Sequence, residues 1–377
     1  MKEKSYVIGS GIVGCVIAHE LAEKGVEVCV LEKRDHIGGN LYDYVDEHGI
    51  LVQAYGPHIF HTSNEKVWEY VNRFCKFEPY ELVCGSVIDG KCVPVSFDYQ
   101  SVDTFFPDEA DIIKSHIESA FSGKSKATVP EMLDSDDPYV RKFVRFLYEK
   151  DYVPYAVKQW GIKPDALDMA ILKRVPVLFS YGGKYFDDKY QGMPVNGYSY
   201  LIEQLLDCKN ISVQKNVDAA DFLRICDGQV FIDGVHADGT VFYTGQIDAL
   251  FDFKFGALPY RSLNFEWKYE DIDSFQPYPV VAYPQAEGYS RITEYKKLPF
   301  QKANGTSYAK EYPLPYVQGQ NEPFYPVLNS ENRALFEKYR ELASHTDGLI
   351  CCGRLADYNY YNMDQAIERA LSVVENL

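Results

Sequence analysis

The stretch "SYVIGSGIVGCVIAHELAEKGVEVCVLEK", residues 5–33, has the pattern of a strand, a glycine turn, a helix and a second strand. The turn has the G-x-G-x-x-G pattern, and the second strand ends on Glu32. In such a unit the helix N-terminus faces a pyrophosphate and the acidic residue reaches a ribose hydroxyl. The glycines Gly9, Gly11 and Gly14 respectively permit the tight turn, let the backbone approach the phosphates and let the helix pack on the strand. The stretch therefore predicts a dinucleotide-binding βαβ unit.

The residues after the second strand narrow the choice of nucleotide. "EKRDHIGGN", residues 32–40, places basic residues after Glu32 and then the glycine pair Gly38-Gly39. This resembles the second glycine pair of FAD-binding proteins of the glutathione-reductase type, which nicotinamide-binding folds do not usually carry. Glu32 would also repel the 2′-phosphate of NADP. The sequence therefore predicts FAD as the cofactor.

Composition excludes several classes of function. The 377 residues carry a formal net charge of −17, which argues against nucleic acid as a partner. No apolar run approaches the roughly 18 residues of a membrane helix, and the first residues do not read as a signal peptide, so a cytoplasmic location without a membrane span is expected. His58 and His61 are spaced like a metal pair, but no third ligand lies near them in the sequence, so no metal is expected. No Ser/His/Asp or Cys/His nucleophile set can be assembled from spacing.

The rest of the chain changes pattern twice. Residues 101–173 carry helical patterns with almost no strand signal, whereas 210–300 consist of short β-rich stretches broken by turns. The end of the chain returns to strand, glycine turn and helix. A helix is also predicted to start near residue 64, with Thr62 or Ser63 as its cap.

Arginines in tyrosine-rich stretches are the candidates for binding an anionic substrate. An acidic chain needs local positive charge for this purpose, and guanidinium groups chelate diphosphates bidentately. The arginines in question are Arg174, Arg261, Arg291 and Arg354.

Taken together, the motifs resemble the UDP-galactopyranose mutase family over essentially the whole chain. The first motif is shared by many flavoproteins, whereas the later motifs, in this order, are specific. They are "YGPHIFHT", "YAVKQWG", "LKRVPV", "FDDKYQGMPVNGY", "FDFKFGALPYRSLNFE", "SRITEYK", "EPFYPV" and "GRLADYNYYNMDQAI".

The resemblance implies an isomerase that interconverts UDP-galactopyranose and UDP-galactofuranose with no net redox change. N5 of reduced FAD attacks the anomeric carbon in this family, so the nucleophile belongs to the cofactor and no side-chain nucleophile is needed. An external reductant such as NAD(P)H would keep the flavin reduced, the substrate is a UDP-sugar, and bacterial members are commonly homodimers.

The implied fold is α/β, with a Rossmann-like FAD-binding domain of the glutathione-reductase type that is interrupted by a helical bundle and an antiparallel β-sheet domain. The expected boundaries are 1–80, 190–250 and 330–377 for the discontinuous FAD-binding domain, 100–185 for the inserted helical substrate-binding domain, and 250–330 with parts of 80–100 for the sheet domain.

The resemblance also implies site residues that contact the uracil and sugar, close over the diphosphate or lie against the flavin. The catalytic residues are Arg174, Arg354, His58 and His61. The substrate-binding residues are Tyr155, Trp160, Arg174, Arg291, Tyr325, Tyr360 and Asn362. The cofactor-binding residues are Gly9, Gly11, Gly14, Glu32, Lys33, Gly38, Gly39, Asn40, His58, Arg354 and Met363.

Three departures from the family pattern leave the sugar open. Asn362 stands where the family usually has aspartate, Leu178 where many members have arginine, and residues 81–91 differ from the usual pattern. Asparagine caps a helix as well as aspartate, so the last helix should start normally. The alternatives are the same chemistry on UDP-N-acetylgalactosamine or dTDP-fucose, a flavin oxidoreductase of the amine-oxidase type, and a flavin-binding protein without catalysis.

Overall fold

The first part of the chain forms the predicted βαβ unit and continues into short hairpins. The computed structural model describes residues 4–161, 172 and 175–377. Asn64 caps the helix predicted near residue 64, because its side chain accepts the first free N–H groups. Thr62 does not cap it, since its hydroxyl donates to Asp364 Oδ2 at 2.9 Å. The elements are β1 (Lys4–Ile8), α1 (Ile12–Glu23), β2 (Glu27–Glu32), β3 (Asp43–Val45), β4 (Leu51–Gln53), β5 (Phe60–Thr62), α2 (Glu65–Asn72), β6 (Phe77–Pro79), β7 (Cys84–Ile88) and β8 (Lys91–Val95).

The next stretch is mainly helical, as predicted. Its amphipathic helices bury one apolar face each in a common core that includes Ile113, Phe143 and Leu147. A π-helical turn, Tyr148–Tyr152, joins two of the helices. The elements of the described residues are α3 (Tyr99–Phe105), α4 (Ala110–Ala120), β9 (Lys126–Ala127), α5 (Val129–Leu133), α6 (Pro138–Leu147), α7 (Val153–Trp160) and β10 (Val177–Leu178).

The chain then returns to the nucleotide-binding unit. In the parallel sheet, Ile211–Lys215 pairs with β2, Thr240–Tyr243 pairs with β1, and Leu349–Cys351 pairs with Thr240–Tyr243, so two later segments flank the first two strands. Helix α1 is buried nearly all round, because the helices Gly197–Leu206 and Met363–Glu375 pack against it. The elements that bring the chain back are β11 (Tyr190–Pro194), α8 (Gly197–Leu206), β12 (Ile211–Lys215), α9 (Ala219–Phe222), β13 (Leu223–Cys226), β14 (Gln229–Ile232), β15 (Val235–His236), β16 (Thr240–Tyr243) and α10 (Ile247–Leu250).

A seven-stranded sheet forms the second layer, in the order β21-β17-β20-β19-β18-β7-β8. It is antiparallel except that β18 pairs with β7 in parallel, because β7 and β8 come from the earlier stretch of the chain. The remaining elements are β17 (Tyr260–Glu270), β18 (Val280–Ala282), β19 (Arg291–Glu294), β20 (Thr306–Pro315), β21 (Tyr325–Pro326), α11 (Ser330–Ser344), β22 (Leu349–Cys351) and α12 (Met363–Glu375).

The fold is α/β, with the parallel sheet that the first stretch of sequence predicts. The division into domains with the boundaries given above stays a prediction. Among the helices of the described residues, none combines the length and the apolar character needed to cross a membrane.

Candidate active site

The glycine turn after β1 has two glycines that the fold itself requires and one that faces open space. A Cβ on Gly9, whose φ is +100°, would lie 2.3 Å from Thr244 Oγ1. A Cβ on Gly14 would lie 2.1 Å from the carbonyl oxygen of Gly9. By contrast, a Cβ on Gly11 would meet nothing within 4 Å. The backbone at Gly11 is therefore open to the close approach of a ligand.

The second glycine pair packs directly on this turn. The Gly38 N–H donates to the Ser10 carbonyl at 2.9 Å, and a Cβ on Gly39 would lie 3.0 Å from Gly11 Cα. Gly11 is also the N-cap residue of α1, and no side chain satisfies the free N–H groups there. These groups and the helix dipole favour an anion such as a pyrophosphate. The two glycine motifs thus form one site.

Glu32 is buried at the end of β2 and connects the strand to the glycine turn. One carboxylate oxygen accepts from the Ser10 N–H at 2.8 Å and from its hydroxyl at 2.6 Å. The other accepts from the Arg34 N–H at 2.9 Å. A carboxylate has about four acceptor positions, so capacity remains for a ribose hydroxyl. The ribose contact itself stays a prediction.

The two basic residues after Glu32 share one carboxylate. Lys33 Nζ lies 2.6 Å and an Arg34 nitrogen 3.4 Å from the Glu322 carboxylate. Arg34 also donates to Asn40 Oδ1 at 3.2 Å, and the role of Asn40 in binding the cofactor stays a prediction. Glu322 offsets one of the two positive charges, and the buried Glu32 carboxylate disfavours the 2′-phosphate of NADP.

Aromatic residues that are distant in sequence meet at the C-terminal end of α7. Gln159 Nε2 donates to the Tyr325 hydroxyl at 2.6 Å. The ring centroids of Trp160 and Tyr325 are 5.3 Å apart, and those of Tyr325 and Tyr360 are 6.3 Å apart. Burial raises the pKa of Tyr155 to about 12, with Arg291 partly opposing the shift, so its phenol is neutral and can donate. The sequence did not indicate Gln159.

Arg291 is paired with a glutamate that the sequence analysis missed. Its Nε and a terminal nitrogen lie 2.8 Å and 2.7 Å from Glu311 Oε2. The pairing register of β19 and β20 sets these two residues opposite each other. Glu311 is 2% exposed, and its Oε1 has no hydrogen-bond partner among the described residues. Alternation along "TSYAKEYPLP" could have placed Glu311 on one face of a strand, but not opposite Arg291.

Arg354 carries a charge that no carboxylate in the described part of the chain pairs with. It donates to the carbonyls of Tyr361 at 2.8 Å and Phe324 at 3.4 Å, and its Cζ lies 5.2 Å from the Tyr360 ring centroid. Burial, followed by the charge of Arg354, lowers the pKa of His58 to about 4. The guanidinium is therefore available to an anionic ligand.

His58 is neutral at physiological pH because of this low pKa. Its Nδ1 lies 2.8 Å from the Gly56 carbonyl oxygen, which can only accept, so Nδ1 carries the proton and Nε2 is an acceptor. His61 has a different partner, because its Nδ1 lies 2.7 Å from Asp188 Oδ2 and its ring stacks on Phe186 at 3.7 Å. The described residues contain no group of three His, Cys, Asp or Glu side chains that could hold a metal.

The structure describes two of three further residues, Leu178 and Asn362, but not Arg174. Arg174 falls in the part of the chain that the structure does not describe. Leu178 is in β10, and a Cβ on Gly183 would lie 2.1 Å from Leu178 Cδ1. Asn362 is the N-cap residue of α12, which begins at Met363, as predicted. The Asn362 N–H donates to Gln365 Oε1 at 3.0 Å.

Arg261 stabilises the C-terminal end of α7. Its Nε and one terminal nitrogen donate to the carbonyls of Gln159 at 3.0 Å and Lys158 at 3.2 Å. Cations stabilise helix C-termini in this way. Gly161 has φ +66°, a left-handed conformation that favours glycine, and the Arg261 guanidinium packs over it, 2.3 Å from where a Cβ would lie. Arg261 therefore fixes the helix that carries Tyr155 and Trp160.

Asp151, in the π-helical turn before α7, should make stability depend on pH. Burial raises its pKa to about 7, although the Ser86 hydroxyl donates to it. The folded protein therefore binds this proton more tightly than the unfolded chain, so the stability from neutral Asp151 is present below pH ~4 and is lost as pH rises through about 7. Asp151→Asn should stabilise the protein more at pH 8 than at pH 5, by roughly 2 to 3 kcal/mol in urea unfolding.

The matched control is Asp347→Asn, because Asp347 is exposed. This variant should leave the pH dependence of unfolding unchanged. An equal gain for Asp151→Asn at both pH values would contradict the buried, neutral carboxyl.

Comparison with known proteins agrees with this fold. The open glycine turn and the parallel sheet define a Rossmann-like dinucleotide-binding protein, and a family model described as "NAD(P)-binding Rossmann-like domain" matches residues 7–74. A second model, "UDP-galactopyranose mutase", matches residues 150–360. The chain belongs to the UDP-galactopyranose mutase family.

Relatives match the chain over nearly its full length. A probable UDP-galactopyranose mutase of Klebsiella pneumoniae is 36% identical over 98% of this chain and 93% of its own. A dTDP-fucopyranose mutase of Escherichia coli is 32% identical over 99% and 97%. A crystal structure of reduced UDP-galactopyranose mutase has the same fold, with a TM-score of 0.74 at 14% identity over 100% of this chain and 94% of that one.

The likeness in sequence to a curated amine oxidase covers a small part of the chain, whereas the likeness in fold to a putrescine oxidase structure covers all of it, with a TM-score of 0.57 at 10% identity. A flavin-containing amine oxidase A of Canis lupus familiaris is 45% identical over only 58 residues, which is 15% of this chain. The flavin-oxidoreductase alternative is therefore not favoured.

Proposed function

We propose that the protein interconverts UDP-galactopyranose and UDP-galactofuranose with reduced FAD as its cofactor. The observation that carries the proposal is that Trp160, Tyr325, Tyr360 and Arg354, from three separate stretches of sequence, come together. Membership of the mutase family supports the same reaction.

The residues of the glycine turn fit FAD. The open backbone at Gly11 and the uncapped N-terminus of α1 suit a pyrophosphate. Glu32 has acceptor capacity left for a ribose hydroxyl, and Gly38 and Gly39 keep the turn free of side chains. Reduced FAD, when bound, supplies flavin N5 as the nucleophile at the anomeric carbon, with no net transfer of electrons.

The proposed tasks of this chain's residues are to bind the nucleotide sugar and to stabilise the departing UDP. Arg354 has a charge that no described carboxylate neutralises, and that charge is strongest in a water-poor site, where negative charge develops on the diphosphate. The Tyr155 phenol is neutral and can donate to an anion. Arg291 can donate too, although Glu311 shares its charge.

The remaining residues would orient the substrate and exclude water. Tyr155 and Trp160 present planar faces for the uracil and the sugar. His58 Nε2 is an acceptor for a hydroxyl or an N–H group near the flavin. We extend the proposal to Arg174, which would close over the diphosphate, and to His61 and Asn362 at the sugar. Closure keeps water away from the activated sugar.

The test is to incubate the purified flavoprotein with UDP-galactofuranose, with and without dithionite, and to separate the products by anion-exchange chromatography. We expect UDP-galactopyranose only when the flavin is reduced. Conversion of the dTDP-fucose or UDP-N-acetylgalactosamine pair with no conversion of the UDP-galactose pair would show that the proposed sugar is wrong. No conversion of any of them, with a reducible flavin present, would contradict the proposed reaction.

We also propose the reductant, the oligomeric state and the location of the enzyme. An external reductant such as NAD(P)H would maintain the reduced flavin, the protein would act as a homodimer, and it would reside in the cytoplasm. Light scattering coupled to size-exclusion chromatography tests the homodimer, since a monomer at micromolar concentration would contradict it.

A further inference from the structure

The turn at residues 353–361 has an unusual backbone for its sequence. The Asn359 N–H donates to the Arg354 carbonyl at 3.1 Å, and the Tyr358 N–H donates to the Leu355 carbonyl at 3.3 Å. These two bonds form a Schellman motif, whose left-handed position is usually glycine. Tyr358 occupies that position with φ +44°. A tyrosine in this conformation is strained and persists only where its surroundings hold it.

The Asp357 carboxylate holds both ends of this turn. It accepts from the Gly353 N–H at 2.9 Å and from the Tyr361 hydroxyl at 3.2 Å. It also binds Arg369 of α12 through two bonds, at 3.1 Å from Nε and 3.0 Å from a terminal nitrogen. Charge-assisted, two-point pairing of this kind fixes geometry as well as distance.

The Tyr358 side chain fixes the middle of the turn. It is 3% exposed, and its hydroxyl lies 2.7 Å from the Pro259 carbonyl oxygen. Burial of the ring offsets part of the backbone strain. The centre is therefore held by packing, and the two ends are held by Asp357.

The turn carries two residues of the candidate active site. Arg354 lies at its start and Tyr360 near its end, with the Arg354 Cζ 5.2 Å from the Tyr360 ring centroid. We propose that the Asp357–Arg369 pair is a positioning pair that aims Arg354 and Tyr360 at the diphosphate of the substrate. This inference rests on the proposed function, and Asp357 and Arg369 themselves need not touch substrate.

The test measures UDP binding to the flavin-loaded protein by isothermal titration calorimetry. Asp357→Asn and Arg369→Gln should each raise the dissociation constant of UDP about tenfold, because the loosened turn must be ordered on binding. The double variant should be little worse than either single variant, since the two residues act as one unit. Flavin content should not change. Arg369→Lys, which keeps the charge but not the two-point geometry, should recover only part of the affinity.

Matched controls remove an exposed charge of the same sign elsewhere. They are Asp347→Asn, for the aspartate, and Arg340→Gln on α11, whose arginine pairs with Glu337 at the surface. Both should bind UDP as the wild type does. A lower thermal midpoint for Asp357→Asn with an unchanged dissociation constant would show a structural role alone and would overturn the inference. Wild-type protein that fails to bind UDP would instead overturn the proposed function, and the inference with it.

Discussion

Arg354→Ala is expected to lower kcat/KM for UDP-galactofuranose by about 10³-fold, with flavin still bound. The guanidinium is half-buried beside Tyr360, and no described carboxylate neutralises it. Its charge is therefore available to stabilise the negative charge that develops on the leaving UDP. Steady-state kinetics with dithionite-reduced protein checks the prediction, and Arg354→Lys should retain part of the activity, because it keeps the charge without the planar fork.

The control for Arg354→Ala is Arg340→Ala, which removes an exposed arginine of α11. Its kinetics should match the wild type. The His58 pKa gives a second readout by NMR, since it should rise when the neighbouring positive charge is removed but stay below its ordinary value, because burial is the larger cause. Kinetics within about threefold of the wild type would remove Arg354 from the mechanism.

Gly11→Ala is expected to abolish or greatly weaken flavin binding while leaving the fold intact. A methyl group there meets no protein atom within 4 Å, so it occupies only the space that a pyrophosphate needs. We expect the dissociation constant of FAD to rise by about 100-fold or more, equivalent to roughly 3 kcal/mol. Fluorescence titration of the flavin-free protein measures it, and the thermal midpoint of the flavin-free protein should not move.

Gly14→Ala is the contrasting variant in the same turn. Its Cβ would lie 2.1 Å from the carbonyl oxygen of Gly9, so the turn or the helix must shift. This variant should lower the thermal midpoint of the flavin-free protein itself. Full flavin affinity in Gly11→Ala would refute the placement of the phosphates at Gly11.

Much of the nucleotide-binding unit could be predicted from sequence, because its signals are local. Strand, turn and helix follow one another within residues 5–33, and Gly14 is required by the carbonyl oxygen of Gly9, five positions earlier. The start of the last helix at Met363 was predictable for the same reason, since a cap acts on the next turn only.

The candidate active site was harder to predict from the sequence, because its side-chain pairs are set by strand register and by packing between segments that are distant in the chain. Arg291 could be selected as a cation, but its partner Glu311 is defined only when β19 and β20 pair. The partner of His61, Asp188, lies 127 positions away. The cap of α2 was assigned one or two residues too early, because Thr62 bonds to Asp364 of a helix near the other end of the chain.

From the sequence alone, one can infer a dinucleotide-binding βαβ unit, an acidic chain with arginines in tyrosine-rich stretches, and the motifs of the family. How each described arginine is used followed from the packing. Arg291 shares its charge with Glu311, whereas Arg261 and Arg354 have no carboxylate partner among the described residues. Arg261 is buried against the end of α7, and Arg354 is half-buried beside Tyr360. The signals of the βαβ unit lie close together along the chain, so they can be recognised in the sequence. The positive charge that an arginine keeps at a site depends instead on which carboxylates the fold brings within a few ångströms of it.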